Sequence, residues 1–192
     1  MIDRTPKLYI GGKQTRPDSG YSITVLDAHK KVAGEVGHGN RKDIRNAVEA
    51  AHKASAWSSL NGHSRAQVLY FLAENLETRS EEFKNRISVL TGDSADKAKR
   101  QVEASIRRIF SYAAWADKYE GRVHQPPMRG LALAIPEPFG VMGLVASDDQ
   151  PLLGLLSMIL PCIASGNRVV AVPSLKAALI EADFYQLLDT SD

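Results

Sequence analysis

Apolar positions follow two different periods along the chain. Between Asn40 and Tyr119 they recur every three or four residues, which is the spacing of amphipathic helices. At Leu8–Ile10, at Ser22–Leu26 and again beyond Arg122 they form short runs bounded by glycine and proline, which is typical of strands. The pattern predicts an α/β chain in which a small N-terminal sheet and a helical block precede a second β-containing part.

Helix start signals divide the helical block into four helices. Asn40 and Ser64 are expected to cap the first two, Ser80 opens the third, and Asp93 or Ser94 begins the fourth, because short polar side chains satisfy the free N–H groups of a first turn. The positions expected to face inward are Ile44, Val48, Ala51 and Ser55, then Val68, Leu69, Leu72, Ala73 and Leu76, then Phe83, Ile87 and Leu90, and last Val102, Ile106, Ile109, Phe110 and Ala113.

The stretch Glu137–Ser174 has the order strand, turn, helix, turn, strand. Phe139–Ala146 is a short apolar run, and Pro151 sits where the first turn of a helix tolerates proline. Leu152–Ile163 is apolar on every side, as expected of a helix buried between layers. Arg168–Val172 then starts a second strand, so the pattern predicts one βαβ crossover with parallel strands near each other in space.

Two short runs precede this unit and predict a hairpin. Arg122–His124 and Leu131–Ile135 flank a turn rich in proline and glycine. A two-stranded ribbon is marginal in water by itself and presents unpaired edges. We therefore expect this ribbon to contact another chain or domain.

Composition excludes several classes of function. The 192 residues carry a net charge of +2, with basic and acidic side chains interspersed, so no nucleic-acid face is expected. A single cysteine, Cys162, rules out an intramolecular disulfide. Met1–Pro6 is polar and lacks the pattern of a signal peptide, and the longest apolar run is about half a membrane span. A cytoplasmic protein without membrane contact is expected, and no histidine spacing indicates a metal site.

These motifs together resemble the N-terminal portion of the aldehyde dehydrogenase superfamily. The residues EPFGVMG from Glu137, the turn before Pro151 and GNRVVAVPS from Gly166 follow the family pattern E-P-x-G-V-x-G, P-W-N-x-P and G-N-x-V-V-x-K-P-S-E, and LYIGGK from Leu8 matches its first strand. Details resemble the second, degenerate domain of the tandem-domain proteins known as family 16. The segments that carry this finer likeness are Asp43–Ala50, Gly62–Leu76, Tyr112–Gly121, Val170–Ser174 and Phe184–Asp192.

The resemblance implies a fold and a division of the chain. The expected architecture is a helical block plus an incomplete parallel Rossmann-like sheet, to which this chain supplies two of about five strands, and a protruding β-hairpin. The expected segments are an N-terminal β segment at 1–37, the helical block at 38–121, an oligomerisation-type hairpin at 122–138 and a partial nucleotide-binding βαβα unit at 139–192. In the family such a hairpin pairs with a neighbouring subunit, which implies a homo-oligomer or an aldehyde dehydrogenase-like partner domain.

The resemblance also implies where the chemistry would lie. The nucleophilic cysteine and the basic glutamate of the family are expected beyond Asp192, so no catalytic residue is assigned here. Cys162 lies in the apolar helix and is expected to be a small core residue, because burial raises a thiol pKa and blocks access. Asp149 stands where the family has the asparagine whose amide helps to hold the oxyanion. An ionised carboxylate has no proton to donate and repels a developing negative charge.

The two adjacent carboxylates, Asp148 and Asp149, leave two interpretations open. They could form an acid/base pair or a cation site, or they could simply belong to a solvated turn that caps the following helix. The turn preferences of aspartate favour the second interpretation.

The positions at which the family binds its dinucleotide also carry different residues in this sequence. Val172 occupies the place of the family's lysine and Leu175 that of its glutamate, the two groups that bind the ribose hydroxyls of the dinucleotide. The positions that would line a weak or vestigial cofactor site are Val145, Ala146, Ser147, Val172 and Ser174. NAD or NADP binding is therefore expected to be weak or lost.

Two functions remain open at this level. The chain is either a catalytically inactive dehydrogenase-like domain with a scaffold or assembly role, or the N-terminal portion of an active NAD(P)-dependent aldehyde dehydrogenase. The first is favoured by Asp149, Val172 and Leu175. The second requires a cysteine and a glutamate in family context downstream.

Overall fold

The computed structural model describes residues 6–191. Residues 1–5, on which most of the signal-peptide expectation rests, and residue 192 lie outside the described part. The chain has an α/β fold, in which helices form most of the core and short strands lie at its margins. Within the described residues, no helix combines the length and the apolar character needed to cross a membrane.

The N-terminal strands form two small antiparallel pairs. β1 (Leu8–Tyr9) pairs with β2 (Gln14–Thr15), and β3 (Ser22–Leu26) pairs with β4 (Val32–Gly37). The strands predicted at Leu8–Ile10 and Ser22–Leu26 are confirmed, but the expectation that they share one sheet is wrong. Each strand instead pairs with the run that follows it across a local turn, and local pairing avoids the entropy of closing a longer loop.

Five helices follow, one more than the four predicted, because the short second helix was not expected, and one of the four predicted starts is wrong. Their bounds are α1 Arg41–Lys53, α2 Ala56–Ser59, α3 Gly62–Thr78, α4 Ser80–Thr91 and α5 Ala95–Lys118. The side chain of Asn40 caps α1 and that of Ser94 caps α5, as predicted. Ser64 does not cap α3, because the helix starts two residues earlier and the Asn61 side chain accepts the hydrogen bond from the Ser64 N–H.

The apolar face predicted for α1 is not covered. Ile44 and Val48 remain 45% and 43% exposed, and Ser55 lies beyond the end of the helix. α1 packs mainly against the strands of the βαβ unit, which leaves much of its apolar stripe uncovered. The pattern correctly identified an amphipathic helix, but the burial predicted for this face is wrong.

The core lies where α3 and α5 pack against each other and against the last two helices. Most of the inward positions predicted in α3, α4 and α5 are buried, among them Leu69, Leu76, Phe83 and Ile109. Leu152, Leu156 and Leu160 join this cluster from the βαβ helix. The helical block and the nucleotide-fold unit therefore share one hydrophobic core.

The hairpin forms as predicted, with a shorter second strand. β5 (Arg122–His124) pairs antiparallel with β6 (Ala132–Ala134), so Leu131 and Ile135 lie just outside the ladder. All residues of both strands are exposed. Within residues 6–191 this ribbon pairs only with itself.

The βαβ unit is confirmed in order and direction. β7 (Val141–Val145) and β8 (Arg168–Val172) pair in parallel, joined by α6 (Pro151–Ala164). A short 3-10 turn at Leu175–Ala177 then leads into α7 (Ala178–Leu188). The expectation that α6 is buried all round is wrong: one face is buried, and the face with Met158 and Cys162 is only half-buried, because the packed elements cover one side.

Side chains of the preceding helices fix the turn between α6 and β8. The Trp57 indole N–H donates to the Ile163 carbonyl at 3.1 Å, and Arg65 Nε donates to the Ala164 carbonyl at 3.1 Å. Asn167 is buried, and its Oδ1 accepts a 3.0 Å hydrogen bond from the Gly140 N–H at the start of β7. These bonds satisfy carbonyls that a helix C-terminus leaves free and hold both strands in register.

Candidate functional site

The carboxyl ends of β7 and β8 meet at one edge of the sheet. Val145 lies opposite Val172, and the Ala146 N–H donates to the Val172 carbonyl at 2.9 Å, which extends the pairing by one step. Because parallel α/β sheets bind ligands outside the carboxyl ends of their strands, this edge is the candidate site. It is formed by two loops, residues 146–150 after β7 and residues 173–177 after β8, which we call the strand-end turns.

Asp148 joins the two strand-end turns. Its Oδ1 accepts a hydrogen bond of 2.5 Å from the Ser174 hydroxyl, and its Oδ2 lies 2.8 Å from Lys176 Nζ. The hydrogen bond from Lys176, followed by that from Ser174, holds the pKa of Asp148 below its ordinary value. The same contact raises the pKa of Lys176.

This arrangement bears on the two interpretations of the adjacent carboxylates. Asp148 is engaged by a hydroxyl and an ammonium group, so its oxygens are already paired. The expected exposed turn is confirmed, but the expectation that it caps the helix is wrong, because α6 has Gln150 as its N-cap and no side chain caps it. Instead the buried Gln101 on α5 accepts from the Leu152 N–H at 3.2 Å.

Asp149 lies beside this cluster on the exposed side of the turn. Its backbone carbonyl accepts from the Ser147 hydroxyl at 3.4 Å, and its side chain is exposed. An ionised carboxylate at this place supplies no proton to an oxyanion.

The side chains at the two positions where the resemblance predicts ribose-binding groups are apolar and partly exposed. Val172 is 38% and Leu175 is 52% exposed, and Val145 beside them is also exposed. None of these three side chains can donate or accept a hydrogen bond. The hydroxyl of Ser174 is buried and already donates to Asp148. Val145, Val172 and Leu175 therefore offer no side-chain hydrogen bond to a ligand hydroxyl.

A groove of about 570 Å³ runs along the outer side of the strand-end turns. Its walls come from the end of β3, the end of α4 and both turns, including Asp27, Thr91, Asp149 and Lys176. The described part of the chain contains no group of three histidine, cysteine, aspartate or glutamate side chains arranged to hold a metal ion.

Cys162 lies far from this edge along α6. α6 runs antiparallel to the strands, so its C-terminal turn, which holds Cys162, lies at the opposite edge of the sheet. The thiol is half-buried rather than a core group, and it donates to the Met158 carbonyl at 3.3 Å. Burial raises the pKa of the Cys162 thiol, which disfavours the nucleophilic thiolate.

The sequence pattern did not predict the roles of two residues at this edge. Lys176 and Gln101 carry no motif, and their partners lie 28 and 51 residues away along the chain. A polar residue at an inward position of α5 was the available signal for Gln101, because buried amides need a partner. For Lys176 the pattern held no signal.

Comparison with known proteins shows which family this chain resembles. The aldehyde dehydrogenase family profile matches residues 15–192. An aldehyde dehydrogenase of Agaricus bisporus is 33% identical over 172 residues, which cover 87% of this chain and 34% of that protein. The cytosolic 10-formyltetrahydrofolate dehydrogenase of Xenopus laevis is 31% identical over 190 residues, covering 94% of this chain and 21% of that protein. The chain thus spans about a third or less of these relatives.

The fold agrees with solved structures. Betaine aldehyde dehydrogenase from Staphylococcus aureus, solved in complex with NAD+, superposes with a TM-score of 0.94 at 21% identity, covering 97% of this chain and 38% of that one. The profile match and the superposition both cover the βαβ unit and the helical block. The chain therefore belongs to the aldehyde dehydrogenase family and corresponds to its N-terminal portion.

Proposed function

We propose that this chain is an aldehyde dehydrogenase-like domain that is catalytically inactive and serves a scaffold or assembly role. The observation that supports the proposal is that Val172 and Leu175 are apolar and partly exposed, at the two positions where the family resemblance predicts groups that bind ribose hydroxyls. A hydroxyl group that loses its partner forgoes about 0.5–1.5 kcal/mol, and more if it stays unsatisfied. NAD or NADP is accordingly bound weakly or not at all.

Asp149 supports the same proposal, because a carboxylate at its position would not stabilise an oxyanion. The family position for the oxyanion amide holds a carboxylate, and the neighbouring Asp148 adds a second negative charge that Lys176 balances. Losing one oxyanion donor costs ~10²–10³ in rate where it has been measured, and a like charge adds repulsion. A complete enzyme with this turn would oxidise aldehydes poorly.

A dinucleotide titration tests the proposal. The melting temperature of the chain is measured with NAD and with NADP up to millimolar concentration, beside the variant Val172→Lys/Leu175→Glu, which restores both family groups. A ligand present at 100 times its Kd stabilises a fold by about 2.7 kcal/mol. We expect no shift for the native chain and a rise for the variant. A saturable rise for the native chain at micromolar NAD would refute the proposal.

One observation favours the second candidate, the N-terminal portion of an active NAD(P)-dependent aldehyde dehydrogenase. The βαβ framework is intact in order, direction and register, and a structural neighbour is solved with NAD+. Aldehyde-dependent reduction of NAD(P), by a longer polypeptide that includes this sequence, would decide for it.

The assembly role is proposed for the hairpin segment 122–138. Its two strands are exposed on both faces, and its apolar side chains have no cover within the described chain. We expect it to bind a second copy or another aldehyde dehydrogenase-like domain, since exposed ribbon edges seek a further strand. A membrane or nucleic-acid partner is not proposed.

A cytoplasmic location completes the proposal. The 10-formyltetrahydrofolate dehydrogenases of Xenopus laevis and mouse are named cytosolic, although a human relative is named mitochondrial. Fractionation of cells that express a tagged full-length polypeptide would test it.

A further inference from the structure

The contact between the strand-end turns is asymmetric. Ser174 is only 4% exposed, whereas the Lys176 side chain is 78% exposed. Asp148 accepts from both, so one arm of the contact is anchored in the core and the other lies in solvent. A hydrogen bond from a buried hydroxyl to a carboxylate is charge-assisted and strong, while an exposed ion pair contributes little. The Ser174 arm is therefore the dominant one.

The turn that carries Asp148 is strained. Gln150 has φ +47°, a left-handed conformation that residues with a β-carbon adopt rarely. Such a residue persists only where its surroundings hold it in place. The helix after it is fixed independently, because the buried Gln101 binds the Leu152 N–H. Relaxation of the strain therefore acts on residues 146–150 and on what they contact, rather than on the helix.

We propose that Asp148, Ser174 and Lys176 form a latch that holds the two strand-end turns together over the carboxyl edge of the sheet, against the strain stored at Gln150. Release of the latch frees each turn from the other, so both turns open more readily. The latch acts at the edge treated in the proposed function, but it does not depend on whether a dinucleotide binds there. Hydrogen exchange in the turns can therefore refute the latch without refuting the proposed function, and the NAD titration can refute the proposed function without refuting the latch.

Amide hydrogen exchange of the full chain tests the latch. Exchange is followed by mass spectrometry in peptides that report residues 146–150 and residues 173–177. Asp148→Ala removes both arms, and Asp149→Ala is the matched control, with the same change one residue away. We expect Asp148→Ala to accelerate exchange in both turns by about three- to tenfold, while Asp149→Ala leaves residues 173–177 unchanged.

Variants of the partners supply the second measurement. Ser174→Ala is expected to accelerate exchange of residues 146–150, on the other strand, more than Lys176→Met does, and 1 M salt is expected to reproduce only the Lys176→Met effect. Acceleration restricted to the turn that carries the substitution would overturn the latch. So would equal behaviour of the Asp148→Ala and Asp149→Ala chains.

Discussion

Glu181, at the start of α7, is a buried acid that the proposed site does not use. It is 7% exposed, and neither carboxylate oxygen has a hydrogen-bond partner among residues 6–191. The other acid of the helix, Asp183, is paired with Arg86 at 2.7 Å. Burial raises the pKa of Glu181 to about 8, and the backbone of Ser174 opposes the shift without reaching hydrogen-bond geometry. The group is therefore neutral in the folded chain at neutral pH.

This neutral carboxyl predicts a pH dependence of stability. The unfolded chain releases the proton near the ordinary pKa of 4.5 and the folded chain only near 8. Between these values the folded state binds more protons than the unfolded state. The contribution of this group to the free energy of unfolding is therefore fully present below pH 4.5 and is lost as the pH rises to 8. The full shift corresponds to on the order of 5 kcal/mol.

Urea denaturation from pH 5 to pH 8 measures the effect. We expect Glu181→Gln to remove most of the decline, whereas Glu77→Gln, at an exposed position of α3, leaves it in place. Parallel pH profiles for the native chain and the Glu181→Gln chain would contradict the assignment.

At the scale of elements, Asn167 links the starts of the two parallel strands. Its side chain binds the Gly140 N–H at 3.0 Å and the Ser165 hydroxyl at 3.0 Å, and it is buried. Asn167→Ala leaves the part-buried Gly140 N–H without this partner, so we expect a loss of about 1 kcal/mol in the free energy of unfolding. Asn46→Ala, on the exposed side of α1, should be neutral in the same urea titration. A midpoint unchanged by Asn167→Ala would show that water replaces the side chain.

Some of these elements could be predicted from the sequence and others could not. The βαβ unit was predictable because its continuous apolar runs are interrupted by turn residues. β4 was missed because Gly34 and Glu35 interrupt its apolar pattern. The exposed face of α1 and the half-buried face of α6 were mispredicted for one reason: periodicity identifies an apolar face but not what covers it.

The candidate site was likewise predictable only in part. That Ser147 and Ser174 lie at one edge follows from strand direction alone. The bonds from Asp148 to Ser174 and Lys176 depend on side-chain directions in two loops, which no pattern specifies. The assignments of Asp149, Val172 and Leu175 stay predictions carried by the family pattern, as does placement in the tandem-domain branch.

At the scale of the whole molecule, the hairpin carries several exposed apolar side chains, and they lie mostly on one of its faces. Val123 lies directly opposite Leu133, and they are 68% and 64% exposed. Leu131 and Ile135, just outside the ladder, are also exposed, and the alternation of strand residues predicts that they lie on the side of Leu133. His124 and Ala132 form the next cross-strand pair on the other face. The ribbon thus has one apolar and one more polar face.

This division predicts the effect of a charge on self-association. Burying a leucine is worth roughly 1.5–3 kcal/mol, so Leu133→Lys should weaken association by about ten- to a hundredfold. Ala132→Lys puts the same charge on the opposite face and should have a smaller effect. Sedimentation velocity over a concentration series measures both. A native chain that stays monomeric at every concentration would rule out self-association through the ribbon, leaving a different domain as its partner, because the apolar face would still need cover.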